Sequence, residues 1–455
     1  MKKIIVLSMI ICQLVLSCSS DGSSNNLDGL SSDIDALLAL PYSKLSPAEQ
    51  KVKLEAEAND MLVQMEKSKT SGAIEAIQNL ENLLSIGSID IFNGKNDNQI
   101  EDILNVSGVY AIYTWNKERQ DWIKTSSTSE LKFVFPANNY TTTNNASFSS
   151  KSTSSNIKVK IEDTYGNWVY NPNTGNYIQT PSVNDYFYLP TSVDATLTIN
   201  NVQAATFVAN AKYTGTIEAP DEASFKMVLS DGYTFEISGG KKATANFAKS
   251  SFSYNGKNLI SFNAGSTADI DALIKDDNLI QYQGKANGLV QIMDNFVIIA
   301  DMDIATQTKD EEALETSLVD PTYPDYSSPN TNFKAYYTAK NTYTKKYSEG
   351  NVLNFNKNIK LILVSKKDGT KIADVVYRSE KGYSYDYEIP VWTNSYYGGY
   401  WNSTGYGEKI TVQYYDEVLY LKFNDNTEAE MSAYFSSGFD TLETKFEDFL
   451  KSFER

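Results

Sequence analysis

With 57 acidic against 40 basic side chains in 455 residues, two cysteines and no histidine, several chemistries are excluded before any motif is read. The missing imidazole removes Ser-His-Asp and Cys-His nucleophile systems, histidine zinc sites and the usual general base near neutral pH. A formal charge of −17, with no run of five lysines or arginines, repels phosphate backbones and argues against nucleic-acid partners. What remains is carboxylate chemistry, Ser-Lys pairs, oxygen-ligated calcium, and binding without catalysis. The expectation is a non-enzyme with no cofactor.

The chain opens on "MKK", a short basic start. "IIVLSMIICQLVL" follows, an apolar run too short to span a bilayer, and then Ser17 precedes Cys18. This is the layout of a secretory signal. The tetrapeptide "VLSC", Val15 to Cys18, resembles the lipobox of bacterial lipoproteins, in which the signal is cut before the cysteine and the cysteine is lipidated. That resemblance covers about the first 26 residues. It implies that residues 1–17 are removed and that Cys18 carries a lipid anchor holding the protein to a membrane. "SSDGSSNN" then reads as a polar tether, taken to extend through residue 40. Cys12 lies inside the signal, so the mature chain has no disulfide and relies on its core. The tyrosine, asparagine and serine bias, together with the lipobox, resembles the outer-membrane lipoproteins of Bacteroidetes. An outer-membrane location, on its periplasmic face or at the cell surface, is what that resemblance implies.

"KLSPAEQKVKLEAEANDMLVQMEKSK" predicts a helix with Ser46 as N-cap, Pro47 at the first helical position and Glu49 completing a capping box. "GAIEAIQNLENLLSIG" predicts a second, with Ile74, Ile77, Leu80, Leu83 and Leu84 on one face and Gly87 as its stop. From about Ser107 the pattern changes to period two. Tyr113–Thr125 and Trp168–Thr180 read as hairpins of similar outline. The polar stretch "NNYTTTNNASFSSKSTSSN" between them reads as an exposed loop. A meander follows, with Asp231-Gly232 and Asn255-Gly256 as hairpin turns. After a short helix at "TADIDALIK" and a strand at "NFVIIADMDI" come an acidic helical piece, a proline-marked loop and a helix carrying Phe333, Tyr336, Tyr337, Tyr343 and Tyr347. A second β region turns at Asp368-Gly369, and the chain closes on an amphipathic helix with Phe439, Leu442, Phe446, Phe449, Leu450 and Phe453 as its stripe.

The fold class expected is α+β and mainly antiparallel, either two sandwich-like units or one curved sheet. The expected order is a helical hairpin over 41–90, a β region over 91–305, a mixed connector over 306–350 and a second β region with the terminal helix over 351–455.

Among candidate sites, "NSYYGGYWNS" nearly mirrors itself about Gly398-Gly399, so Tyr397 would face Tyr400 and Tyr396 would face Trp401. Upstream, "YSYDYEI" alternates, with Tyr383, Tyr385 and Tyr387 on one face. Aromatic rings beside Asn, Asp and Ser suit sugars, whose CH faces stack while their hydroxyls take hydrogen bonds. Trp392, Tyr396, Tyr397, Tyr400 and Trp401 are therefore the ligand-binding candidates, set against plain sheet packing and membrane-surface insertion of the tip. Asp301 with Asp303, and Asp386 with Glu388, are carboxylates two apart on strands. Both members point one way, which does not suit glycoside hydrolysis. The loops Asn93–Asp102 and Asn424–Glu430 are rich in oxygen ligands but lack the helix-loop-helix calcium pattern, and no metal is assigned. The leading function is a lipid-anchored envelope protein binding a glycan or a protein partner. An acyl-chain carrier with a sheet cavity and a structural subunit of an envelope assembly are the alternatives.

Overall fold

The computed structural model describes residues 27–86, 100–162, 168–179, 184–215, 218–241, 245–275, 283–396, 398–403 and 407–435. The fold is α+β and mostly antiparallel, as the patterning predicts. The predicted terminal stripe from Phe439 onward lies outside the described residues, which end in a helical stretch at 431–435.

Helix α1 (Leu27–Leu38) comes first, so the segment read as a tether through residue 40 is helical from Leu27. Leu30, Ile34, Leu37 and Leu38 recur at helical spacing, and this apolar stripe outweighs the flanking serines and aspartates. Helix α2 (Pro47–Glu66) has the predicted capping box, with Ser46 accepting from the Glu49 N–H and Glu49 accepting from the Ser46 N–H. Helix α3 (Gly72–Ile86) buries the predicted Ile74, Ile77, Leu80, Leu83 and Leu84.

Sixteen strands then join one sheet, in the order β2-β1-β3-β4-β7-β8-β9-β10-β11-β12-β13-β14-β15-β16-β19-β20. Most run Ala111–Asn116 (β1), Asp121–Ser126 (β2), Leu131–Phe135 (β3), Ala146–Glu162 (β4), Asn184–Ile199 (β7), Val202–Lys212 (β8), Glu222–Leu229 (β9), Tyr233–Gly240 (β10), Asn246–Tyr254 (β11) and Lys257–Ser266 (β12). The rest are Ala286–Ile292 (β13), Phe296–Met302 (β14), Ile359–Ser365 (β15), Thr370–Glu388 (β16), Lys409–Lys422 (β19) and Glu428–Glu430 (β20). Two short hairpins stand apart from it, β5 (Trp168–Asn171) with β6 (Asn176–Gln179), and β17 (Val391–Ser395) with β18 (Gly398–Asn402). The stretch between β14 and β15 holds α6 (Ile304–Ser317) and α7 (Phe333–Asn358); α4 (Ile100–Leu104) and α5 (Ile270–Lys275) are short. Because β14 pairs with β15, the strands on either side of residues 306–350 belong to one sheet.

The serine-rich stretch expected as a loop is mostly β4. Ala146, Phe148 and Ser150 point inward, and Ser147 and Thr198 bond across the opposite face at 2.8 Å. Pairing to β7, and to β3 over Ala146–Ser150, satisfies its backbone there, which outweighs a polar composition.

Helices cover the sheet from two sides. Met61 and Met65 of α2, with the stripe of α3, pack on Phe133, Phe148, Leu197, Phe207 and Leu259. Leu54 of α2 joins a second cluster with Phe296, Leu363, Ala373 and Leu421. Two tyrosines tie α2 down, Tyr434 donating to the Pro47 carbonyl at 2.6 Å and Tyr233 to that of Gln64 at 2.5 Å. On the other face α1 packs on Val297, Ile299, Ile362 and Val364, so β14 and β15 are covered on both sides. The link between α1 and α2 is knitted to β16. Lys371 donates to Pro41, Ser43 donates to Lys371 (both 2.8 Å), and Tyr42 donates to Asp374 at 2.6 Å. No described helix is long and apolar enough to cross a membrane.

Candidate binding surface

β16 and β19 pair from Asp374↔Lys422 to Glu388↔Lys409 and form a ribbon that outruns its neighbours. The last β15 partner on β16 is Val375, two residues before Tyr377. Beyond that point the ribbon edges would be bare, and unpaired strand edges invite mispairing. Helix α7 supplies the missing partners. Asn356 donates to the Tyr377 carbonyl (3.0 Å) and accepts from its N–H (2.9 Å), standing in for a strand residue. Asn341 does the same on β19, donating to Thr411 O (2.8 Å) and accepting from Gln413 N–H (3.0 Å), while Thr344 donates to Gln413 O. Few apolar residues of α7 are buried, and polar clamps locate it instead. Asn332 caps its start, accepting from Ala335 N–H at 2.9 Å.

At the ribbon's end, Trp392 pairs with Trp401, Thr393 with Tyr400 and Ser395 with Gly398. The pairing therefore closes between Ser395 and Gly398, ahead of the Gly398-Gly399 centre expected from the mirror pattern. Packing explains the shift. The Trp392 indole lies across Gly399, where any Cβ would overlap it, and Gly398 sits at φ +111, which favours glycine. Trp401 packs edge-on to Phe333 (4.7 Å) and to Trp392 (5.4 Å), and its ring N–H donates to Ser328 O at 3.1 Å. Phe333 is 1% exposed.

The five candidate residues are thus split by role. Trp392 and Trp401 come together and seat the hairpin on the start of α7. Tyr396 (95% exposed) and Tyr400 face outward, and Tyr397 lies outside the described residues. Behind them runs a tyrosine network that the spacing did not reveal. Tyr326 meets Phe333 at 4.9 Å, Tyr323 meets Tyr336 at 6.0 Å, and Tyr337 meets Tyr387 at 4.2 Å. The Tyr326 and Tyr387 hydroxyls are 3.4 Å apart. Burial pushes the Tyr326, Tyr337 and Tyr387 hydroxyls above the ordinary phenol value, so all three stay neutral at physiological pH and both donate and accept.

The paired carboxylates are used structurally. Asp301 is the penultimate residue of β14, but Asp303 is the N-cap of α6, accepting from Thr306 N–H at 3.1 Å, so the two do not share a strand face. That backbone bond holds the Asp303 carboxyl below its usual range. Asp386 accepts from Thr411 Oγ1 at 2.8 Å and Glu388 from Gly407 N–H at 3.3 Å. Asp425, in one oxygen-rich loop, accepts from Thr427 N–H at 2.9 Å to close a turn; most of the other loop, from Asn93, lies outside the described residues. Among the described residues no group of three or more Asp, Glu or Cys is gathered to hold a metal. The chain matches no family model, no curated protein and no solved structure.

Proposed function

We propose that this protein is a lipid-anchored envelope protein that binds a glycan or a protein partner through the aromatic end of the β16/β19 ribbon, without catalysing a reaction. The anchor rests on Val15–Cys18 and the polar residues after it. Binding is carried by one observation, the division of labour within the hairpin. Two tryptophans are spent on fixing its position, while Tyr396 and Tyr400 are held outward on a rigid support. Rigid amphipathic rings contribute contact area at little conformational cost, which is why such residues recur at recognition surfaces. An acyl-chain carrier has less support, because α2 and α3 pack directly on the apolar sheet face.

Two measurements test this reading. Cys18→Ala should abolish incorporation of radiolabelled palmitate and shift the protein out of the membrane fraction; unchanged labelling removes the anchor. Full-length protein in detergent should retain glycans on an array or a partner in a membrane pull-down, and Tyr396→Ala/Tyr400→Ala should weaken that capture. A wild type that captures neither removes the binding function.

A further inference from the structure

Midway along the same ribbon, one strand edge is left open. Lys381 pairs with Tyr415 and Ser384 with Gln413, so Gly382 and Tyr383 together oppose Tyr414 alone. This β-bulge lies on β16, and β19 continues regularly past it. Along a regular antiparallel strand, the backbone groups of successive residues point to opposite sides. Two ends fix which residues of β19 point away from β16. At one, Gln413 N–H donates to Asn341 (3.0 Å) and Gln413 O accepts from Thr344 (3.2 Å), both on α7. At the other, Leu421 pairs with Ala429 of β20, and Phe423 N–H donates to Thr427 O at 3.0 Å. Odd-numbered residues therefore face outward. Between these ends stand Tyr415, Glu417 and Leu419. Among the described residues, no strand and no side-chain clamp meets their outward backbone groups.

Helix α7 turns this edge into a groove. Thr338, Thr342, Lys345, Lys346 and Glu349 line an open cavity of about 500 Å³ together with Tyr415, the first residue of the bare stretch. That is the size of a ligand cleft. Lys345 is paired with Glu349 at 3.6 Å, and Lys346 has no partner among the described residues, so this wall carries a net positive charge. Tyr415, Glu417 and Leu419 are half-buried, not sealed.

We infer that this edge is a β-augmentation site, where an extended segment of a partner protein adds a short strand beside β19. It rests on the reading of the protein as a binder and selects a protein partner for this second place on the ribbon. N–H donors and C=O acceptors repeating at strand spacing match a peptide backbone, whereas sugar hydroxyls have no such repeat. Length selects the form of the partner. The bare stretch from Tyr415 to Leu419 spans about 13 Å. It is closed by the α7 clamps at one end and by β20 at the other. A flexible segment of about five residues fits between them, and the long edge strand of a folded second copy does not. Charge sets a preference, because an acidic side chain on the α7 side of the segment would meet Lys346.

Amide exchange on full-length protein in detergent tests the edge directly. In the free protein, Tyr415, Glu417 and Leu419 should exchange faster than Asp416 and Val418, whose N–H groups point to β16. Protection of all three in the free protein overturns the inference, since the edge is then already covered. Protection that grows with protein concentration alone assigns the edge to a second copy and also overturns it. A phage-displayed library of random heptapeptides should yield binders enriched in Asp and Glu. A selected peptide, added to the wild type, should slow exchange at those three amides, and no slowing there overturns the edge. Glu417→Pro removes the central outward N–H without touching a bond to β16, and should weaken that peptide about tenfold. Lys346→Glu should weaken it as well, and Tyr396→Ala/Tyr400→Ala should leave it unchanged. Should the proline variant not fold, the wild-type exchange footprint decides. A peptide lost with the tip tyrosines but indifferent to Glu417→Pro overturns the edge and leaves binding at the aromatic end standing. A library that yields no binder overturns the edge, while glycan or partner capture through Tyr396 and Tyr400 is scored separately.

Discussion

Two ribbons of this sheet are built alike and finished differently. β4 and β7 run 17 and 16 residues and carry the β5/β6 hairpin beyond their shared end; β16 and β19 run 19 and 14 and carry β17/β18. Ten antiparallel pairings separate β4 from β16, so the two strands have the same sense and both hairpins follow the same strand end. Each ribbon also breaks register midway, between Ser154 and Lys158 in one and Lys381 and Ser384 in the other. The edges are completed by different means. Beyond β8, the Tyr188 backbone of β7 exchanges two hydrogen bonds with Ser107, a backbone bridge. Beyond β15, β16 is completed by the Asn356 side chain of α7. The hairpins differ in turn. Tyr170 and Tyr177 form an exposed cross-strand pair at 5.5 Å, whereas Trp401, packed edge-on to Trp392, is pinned to Phe333. One aromatic-turn-aromatic pattern therefore makes a surface pair in one place and a rigid mount in the other, and the neighbouring helix decides which.

The comparison can be broken most forcefully at Phe333. Phe333→Ala should cost about 3–5 kcal/mol in denaturant unfolding and speed amide exchange across 391–402 while sparing 168–179. Equal acceleration in both hairpins would mean that they are not independently supported. Asn356→Ala leaves the Tyr377 N–H and C=O unpaired and should cost about 1–3 kcal/mol, with exchange rising at Tyr377. No change there would show that water replaces the clamp.

Acid should separate the ribbons as well. The Asp303 carboxyl is depressed by its bond to Thr306, and that of Asp310 by Lys357 of α7. A depressed folded value stabilises above the unfolded value, near 3.8, and that contribution is lost as pH falls through the folded value. Exchange in α6 and α7 should therefore rise on acidification below that range before exchange at β5/β6 does. Asp303→Asn, which keeps an N-cap acceptor, should blunt the rise in α6. The smallest effect is expected at the exposed pair, where Tyr170→Ala or Tyr177→Ala should change stability by no more than about 0.5 kcal/mol. A larger loss would show that this hairpin has a mount of its own.

Much of the local architecture is legible in the chain. The Ser46-Pro47-Glu49 box and the stripe of α3 are complete within a few residues, and each helix forms where they indicate. The turns at Asn255-Gly256 and Asp368-Gly369 need only positive φ at the right place. Of the candidate surface, the aromatic enrichment and the Tyr383/Tyr385 face are readable. The bulge opposite Tyr414 is not, because its two sides are about thirty residues apart in sequence. Helix α7 shows little apolar periodicity, since its anchors are amide clamps on backbone groups of other strands.

The sequence by itself determined the missing imidazole chemistry, the acidic surface, the helix starts and the tight turns, because each is closed by composition or by neighbours along the chain. Tertiary structure decided the continuity of the sheet through β14 and β15, the strand character of the serine-rich β4 and the Ser395–Gly398 register of the hairpin. In each of these the deciding partner is remote. A backbone group is satisfied only by the strand or side chain beside it, and a ring takes its register from the surface on which it packs.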